Sequence, residues 1–194
     1  MTTEDEKDTE TVEYIGPYAH WWHRLVKPEL CRARKWQPLP TAHKAILKRC
    51  KNLEEVMLSE PFQALWQMVP DEKRSPPKME VTALAAWVLS SVKDDADMGL
   101  AQSMAQKASD GSDRPKVSTL RFQQLIKSRD TTEFARRLRR ILPQIDNTVS
   151  VTGLAREIEN WYWQNRSSAP ETDPTKRQVL QWAMGYYAIT PKTQ

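Results

Sequence analysis

Residues 114–142, RPKVSTLRFQQLIKSRDTTEFARRLRRIL, decide how the chain is read, because a helical apolar stripe and a concentration of positive charge fall on the same segment. Asp130 stands where a helix N-cap belongs, and Glu133, three positions on, completes a capping-box pattern. Phe134, Leu138, Ile141 and Leu142 then recur at i, i+4, i+7 and i+8, the spacing of one helix face. At about 100° per residue, Arg136 and Arg140 fall one turn apart opposite that stripe, with Arg137 and Arg139 on its flanks. The spacing predicts a helix with its apolar side inward and four guanidiniums outward. Nine basic residues lie in the stretch against two acids, Asp130 and Glu133, while the whole chain of 194 residues carries a net charge of only +4. Solvated helix faces ordinarily mix signs. Arginines with no acid among them repel one another unless an anion neutralises them.

A second block repeats the design. Between residues 24 and 51 there are nine basic residues and one acid, Glu29. Thr41 is the expected cap of a helix whose stripe is Ile46, Cys50, Leu53 and Met57, with Lys44, Lys48 and Lys51 gathered opposite and Arg49 beside them. Two similarly built basic helices predict one continuous positive track across the molecule. Near the C-terminus, Asp173-Pro174 reads as an N-cap and N1 proline. Lys176 and Arg177 then fall in the first turn of the last helix, where cations oppose the helix dipole, a placement that phosphate would relieve.

The rest of the chain is helical punctuation. Five glycines against 13 prolines, with few alternating β-branched runs, argue for an all-α fold of two small helical bundles rather than for a sheet. Residues 1–13 hold six carboxylates against Lys7 and almost nothing to bury, so they read as a disordered acidic tail. A short helix follows from Pro17 to Pro28. In it the neighbours Trp21 and Trp22 are expected to diverge, one to the core and one to a surface. A helix over 61–69 carries Phe62, Leu65, Trp66 and Val69, and residues 70–78 read as an extended loop around Pro76-Pro77. Residues 79–92 are apolar on a broad face and form the expected central helix. After a short helix over 98–107, the run Ser109-Asp110-Gly111-Ser112-Asp113 is the most linker-like in the chain, which divides it into bundles at 14–108 and 109–194. Leu154, Ile158, Trp161 and Tyr162 form another stripe, and of Trp161-Tyr162-Trp163 at least one is expected in the core.

Catalytic patterns are missing from this sequence. It has no glycine-rich phosphate loop, no Walker lysine, no His-Glu-x-x-His and no nucleophile elbow. His20, His23 and Cys31 have partial metal-ligand spacing but no second ligand pair, so neither a metal nor a cofactor is expected. Two cysteines make no disulfide framework. The apolar window 81–92 is shorter than the ~20 residues of a membrane span, and the acidic start is unlike a signal peptide. A binding protein of the cytoplasm, with a polyanionic partner and no membrane contact, fits these observations and the sequence pI of about 9.1.

The order of several motifs resembles a known family. The pair Lys48-Arg49 followed by Glu54-Glu55, the element Met98-Gly99-Leu100-Ala101, the run Arg121-Phe122-Gln123-Gln124-Leu125-Ile126 and the helix Arg136 to Leu142 are together similar to the CasB family, the small subunit of the type I-E CRISPR Cascade surveillance complex. The similarity runs from about Leu47 to Tyr187. The first forty residues and the loop 166–173 depart from the family's shorter members. The resemblance implies a non-catalytic, all-helical subunit that sits as a head-to-tail pair along the complex. There it would touch the large subunit, the backbone subunits and the guide RNA complex, and contact both target and displaced non-target DNA strands to hold the R-loop. The positions matching the family's basic surface are Lys48, Arg49, Arg121, Lys127, Arg129, Arg136 and Arg140.

Two other functions are compatible with the residues. A stand-alone helical DNA-binding regulator would place a helix-turn-helix between Pro115 and Leu142 and read base edges. A protein–protein adaptor would use tryptophan patches and leave the charges incidental.

Overall fold

The computed structural model describes residues 16–169 and 171–190. The acidic segment 1–13 lies outside the described residues. Among those described, helices account for the architecture and no strand forms, so the fold is all-α.

The N-terminal half comprises α1 (Gly16–Val26), α2 (Pro28–Ala33), α3 (Thr41–Arg49), α4 (Leu53–Met57), α5 (Glu60–Trp66), α6 (Pro76–Leu89) and α7 (Leu100–Ala105). The central helix is α6. Ser75 caps it by accepting from the Lys78 N–H, and Pro76 and Pro77 occupy its first positions, where a missing N–H is no loss. The two prolines therefore open a helix instead of interrupting a loop. Every residue from Val81 to Leu89 is buried, because helices cover α6 all round: α1, α3, α4 and α5 from its own half, α9 (Thr131–Ile141) and α10 (Val151–Arg166) from the other. Truncating a side chain such as Leu84 would cost about 2–5 kcal/mol.

The C-terminal half adds α8 (Thr119–Ile126), α9, α10 and α11 (Gln178–Ile189). Its elements pack onto the N-terminal ones as well as on each other, with α11 crossing α7 where Gly185 faces Ala101. Buried apolar residues from both halves form one contiguous core. The run 109–113 folds back on itself. Lys107 pairs with Asp113 at 2.6 Å, Arg114 with Asp110 at 2.8 Å, and the Ala108 N–H donates to the Arg114 carbonyl at 2.9 Å.

Four local expectations need correction. Trp21 and Trp22 are both fully buried, since α1 is covered on several sides by α2, α3, α5, α6 and α10, so positions 100° apart both meet protein. Each indole N–H finds a carbonyl, Trp21 that of Pro61 at 2.8 Å and Trp22 that of Val92 at 3.3 Å. The stripe expected after Thr41 is broken: α3 ends at Arg49, Asn52 caps a new helix, and His43 and Leu47 are buried in place of Ile46 and Cys50. Thr41 is the first residue of α3, and its side chain makes no cap. Asp173 caps a single 3-10 turn, Pro174–Lys176, and α11 starts only at Gln178.

Candidate nucleic-acid interface

The arginine helix α9 forms as its spacing predicts. The Asp130 carboxylate accepts from the Glu133 N–H at 2.7 Å, and Phe134, Leu138, Ile141 and Leu142 are buried, with Phe134 stacked on Trp161 at 3.8 Å. The four guanidiniums, however, do not share one environment. Arg136 and Arg140 are exposed. Arg139 turns inward to lie 4.9 Å over the Trp87 ring of α6, and burial lowers its pKa. Arg137 reaches the Gln124 carbonyl and pairs with Glu133 at 2.5 Å. Glu133 thus serves Arg137 instead of closing a capping box.

The two basic blocks meet. Arg139 donates to the Lys48 carbonyl at 3.0 Å, and Arg136 donates to the Lys51 carbonyl at 2.9 Å. These bonds seat the end of α3 on α9. Lys48, Lys93, Arg136, Arg139 and Arg140 consequently line one cleft of about 500 Å³, in which Ser91, Pro143 and Asn147 are the other walls. Among the described residues no carboxylate lines it. Asp94, the neighbour of Lys93 in the chain, is held by Lys27 at 2.6 Å, and that bond lowers its pKa. Lys44 stands half-buried on the same helix as Lys48. Its pKa is lowered, first by burial and then by the charges of Lys48, Lys27 and Lys93. Such crowding is what a bound anion would relieve.

The position of Lys93 follows from a turn. Asp146 and Asn147 both adopt left-handed backbone, with φ of 60° and 56°, which Asp and Asn tolerate better than most residues. The Asn147 carbonyl then accepts the Lys93 N–H at 2.8 Å, and the Val149 N–H donates to Asp94 at 3.3 Å. Lys93 is absent from the expected interface. For Lys93 the available signal was its place just past the apolar run, at the exit of the central helix.

A second cleft, of about 720 Å³, continues from the first, since Arg136 and Arg140 line both. Arg121 and Arg137 join them there, together with Asp130 and Glu133. Arg121 is oriented by Gln144, to which it donates at 2.7 Å. Lys127, Arg129 and Arg177 come together elsewhere, around a third cleft beyond the C-terminal end of α8. The remaining expected residues are less gathered. Lys51 contributes a backbone carbonyl, and Arg49 is exposed but lines none of these clefts. Lys176 lies in the 3-10 turn, 4.0 Å from Asp173.

Among the described residues no three His, Cys, Asp or Glu side chains group closely enough to hold a metal ion, and no helix is long and apolar enough to cross a membrane. The Trp161-Tyr162-Trp163 run exposes only Trp163, because Trp161 and Tyr162 are buried.

Comparison with known proteins places the chain. No curated protein and no solved structure gives a match. A family model described as CRISPR-associated protein Cse2 matches residues 43–187, which takes in the arginine stretch 114–142, the part of the other basic block from Lys44 to Lys51, and every helix from most of α3 to most of α11. The chain therefore belongs to the Cse2 family of CRISPR-associated proteins, the CasB family of the type I-E Cascade complex.

Proposed function

We propose that this Cascade subunit is a non-catalytic nucleic-acid binder that steadies the R-loop through phosphate contacts to the target strand and the displaced non-target strand. One observation carries the reading: five cations, Lys48, Lys93, Arg136, Arg139 and Arg140, line a single cleft with no carboxylate among its described residues. Exchanging a DNA duplex for an RNA–DNA heteroduplex is close to balanced in free energy, so a few phosphate contacts from protein can tip it. Arg121 joins Arg136 and Arg140 at the adjoining cleft, and Lys127 and Arg129 stand at a separate cleft past the end of α8. No base reading is required of these residues.

The geometry weighs against a stand-alone regulator. In such a protein the first turn of the second helix meets the groove, and here that turn carries the exposed carboxylates of Asp130 and Glu133. Those charges repel phosphate. We place the subunit in the cytoplasm, against the large subunit, the backbone subunits and the guide RNA complex, with a second copy arranged head to tail. A gel shift with random single-stranded and double-stranded DNA tests the reading. Sequence-independent, salt-sensitive binding is expected; one preferred site would support the regulator, and no binding would leave the adaptor.

A further inference from the structure

The third cleft differs in character from the other two. It holds about 630 Å³, within the range of roughly 300–1,000 Å³ typical of small-molecule sites. Ile126, Val179 and the buried Trp161 give it apolar walls, while the exposed cations Lys127, Arg129 and Arg177 stand around them. The Trp161 ring is fixed by its stack on Phe134. Two of the three cations are uncommitted. Lys127 and Arg129 make no side-chain hydrogen bond or ion pair with any described residue. Arg177 is oriented by the Glu171 carbonyl, which accepts from two of its nitrogens at 3.0 and 2.9 Å and leaves the third without a described partner.

Two acceptors are also available. Asn165 donates its amide N–H to the Arg129 carbonyl at 2.5 Å, which leaves its side-chain oxygen open. Glu171, the one acid among the described residues lining the cleft, accepts the Asp173 N–H at 3.2 Å and has further lone pairs.

An apolar slot beside two uncommitted cations and an oriented arginine suits a ligand that is part planar ring and part phosphate. We infer that this cleft takes an unpaired nucleobase of the bound strand, with the flanking phosphates on Lys127, Arg129 and Arg177, an inference that rests on the phosphate-binding reading above. Each natural base carries at least one N–H on its pairing edge, so the Asn165 and Glu171 oxygens hold any of them without selecting a sequence. A base inside a duplex has that edge occupied. The cleft therefore adds a preference for single strands that cations alone would not supply.

The experiment compares binding of the full chain to a single-stranded oligonucleotide and to an abasic strand of the same length and phosphate number. The abasic strand is expected to bind about tenfold more weakly, with the same dependence on salt. Val179→Asp, which puts a carboxylate into the slot, is expected to erase the difference between the two strands. Ile126→Glu repeats the test at a second apolar lining residue, and thermal melting checks that each variant is folded. Equal affinity of the wild type for both strands at the same salt slope overturns the base site, leaves the phosphate reading standing and gives the cleft to a protein side chain. A folded Val179→Asp variant that keeps the full difference also overturns it. Absence of salt-sensitive binding to either strand overturns both readings.

Discussion

The guanidinium of Arg139 donates to the backbone carbonyl of Lys48 at 3.0 Å, across 91 positions of sequence, while its face lies over the Trp87 ring. One arginine thereby joins the two basic blocks and anchors them to the central helix. Its role is structural before it is electrostatic, which separates it from Arg140 one position along.

That separation can be measured. Arg139→Ala removes a partly desolvated cation–π contact and leaves a carbonyl without its donor, so it is expected to lower stability by about 2 kcal/mol in denaturant titration. Arg139→Lys is expected to recover less than half of this, because an ammonium lacks the planar fork that stacks and bonds together. Full recovery by lysine would mean that charge alone matters at this position.

Asp130 caps α9 through the Glu133 N–H at 2.7 Å. Asp130→Ala is expected to cost about 1 kcal/mol, and Asp130→Asn to cost much less, since asparagine caps nearly as well. Thermal melts of the two variants decide it. An equal loss in both would assign the effect to the carboxylate charge near the helix start and not to the cap.

Much of this was legible in the sequence, and the failures share a cause. The α9 stripe and the central helix were found because periodicity reports a face whenever one face dominates. Trp21 and Trp22 misled because periodicity carries no information about how many neighbours surround a helix, and α1 is covered on more than one side. Ile46 and Cys50 misled because a stripe was drawn through a break: the chain leaves helix at Cys50, and Asn52 starts another. For the site, charge density pointed to α3 and α9 but not to their contact. The place of Lys93 in the cleft is set by the Asn147 carbonyl, a long-range bond without local signature. Arg139 was read as outward because its partner, Trp87, belongs to another helix.

Glu157 offers a test of the α7–α10–α11 junction. Its carboxylate accepts from the Trp182 indole at 3.0 Å, and burial raises its pKa above the ordinary 4.5. A carboxyl whose folded pKa is raised penalises the fold when ionised, at neutral pH, and that penalty disappears as pH falls through the folded value and on below 4.5. Stability of the wild type relative to Glu157→Gln is therefore expected to increase from neutral pH toward acid. Glu157→Ala is expected to lose about 1–3 kcal/mol at neutral pH by orphaning the Trp182 N–H. Chemical denaturation at several pH values checks both. A wild type that loses ground to the glutamine variant on acidification would reverse the assigned sign.

The central claim is that the cleft between α3 and α9 binds phosphate, and its most direct measurement is the salt dependence of single-stranded DNA binding by the wild type and by Lys48→Ala with Arg140→Ala. Neither side chain makes a hydrogen bond or ion pair with any described residue, so melting should be unchanged. Losing two phosphate contacts to a single strand is expected to flatten the slope of log affinity against log salt by about 1.4, whatever the sequence of the strand. Identical slopes for the two proteins, with both folded, would contradict the claim and remove the cleft from nucleic-acid binding.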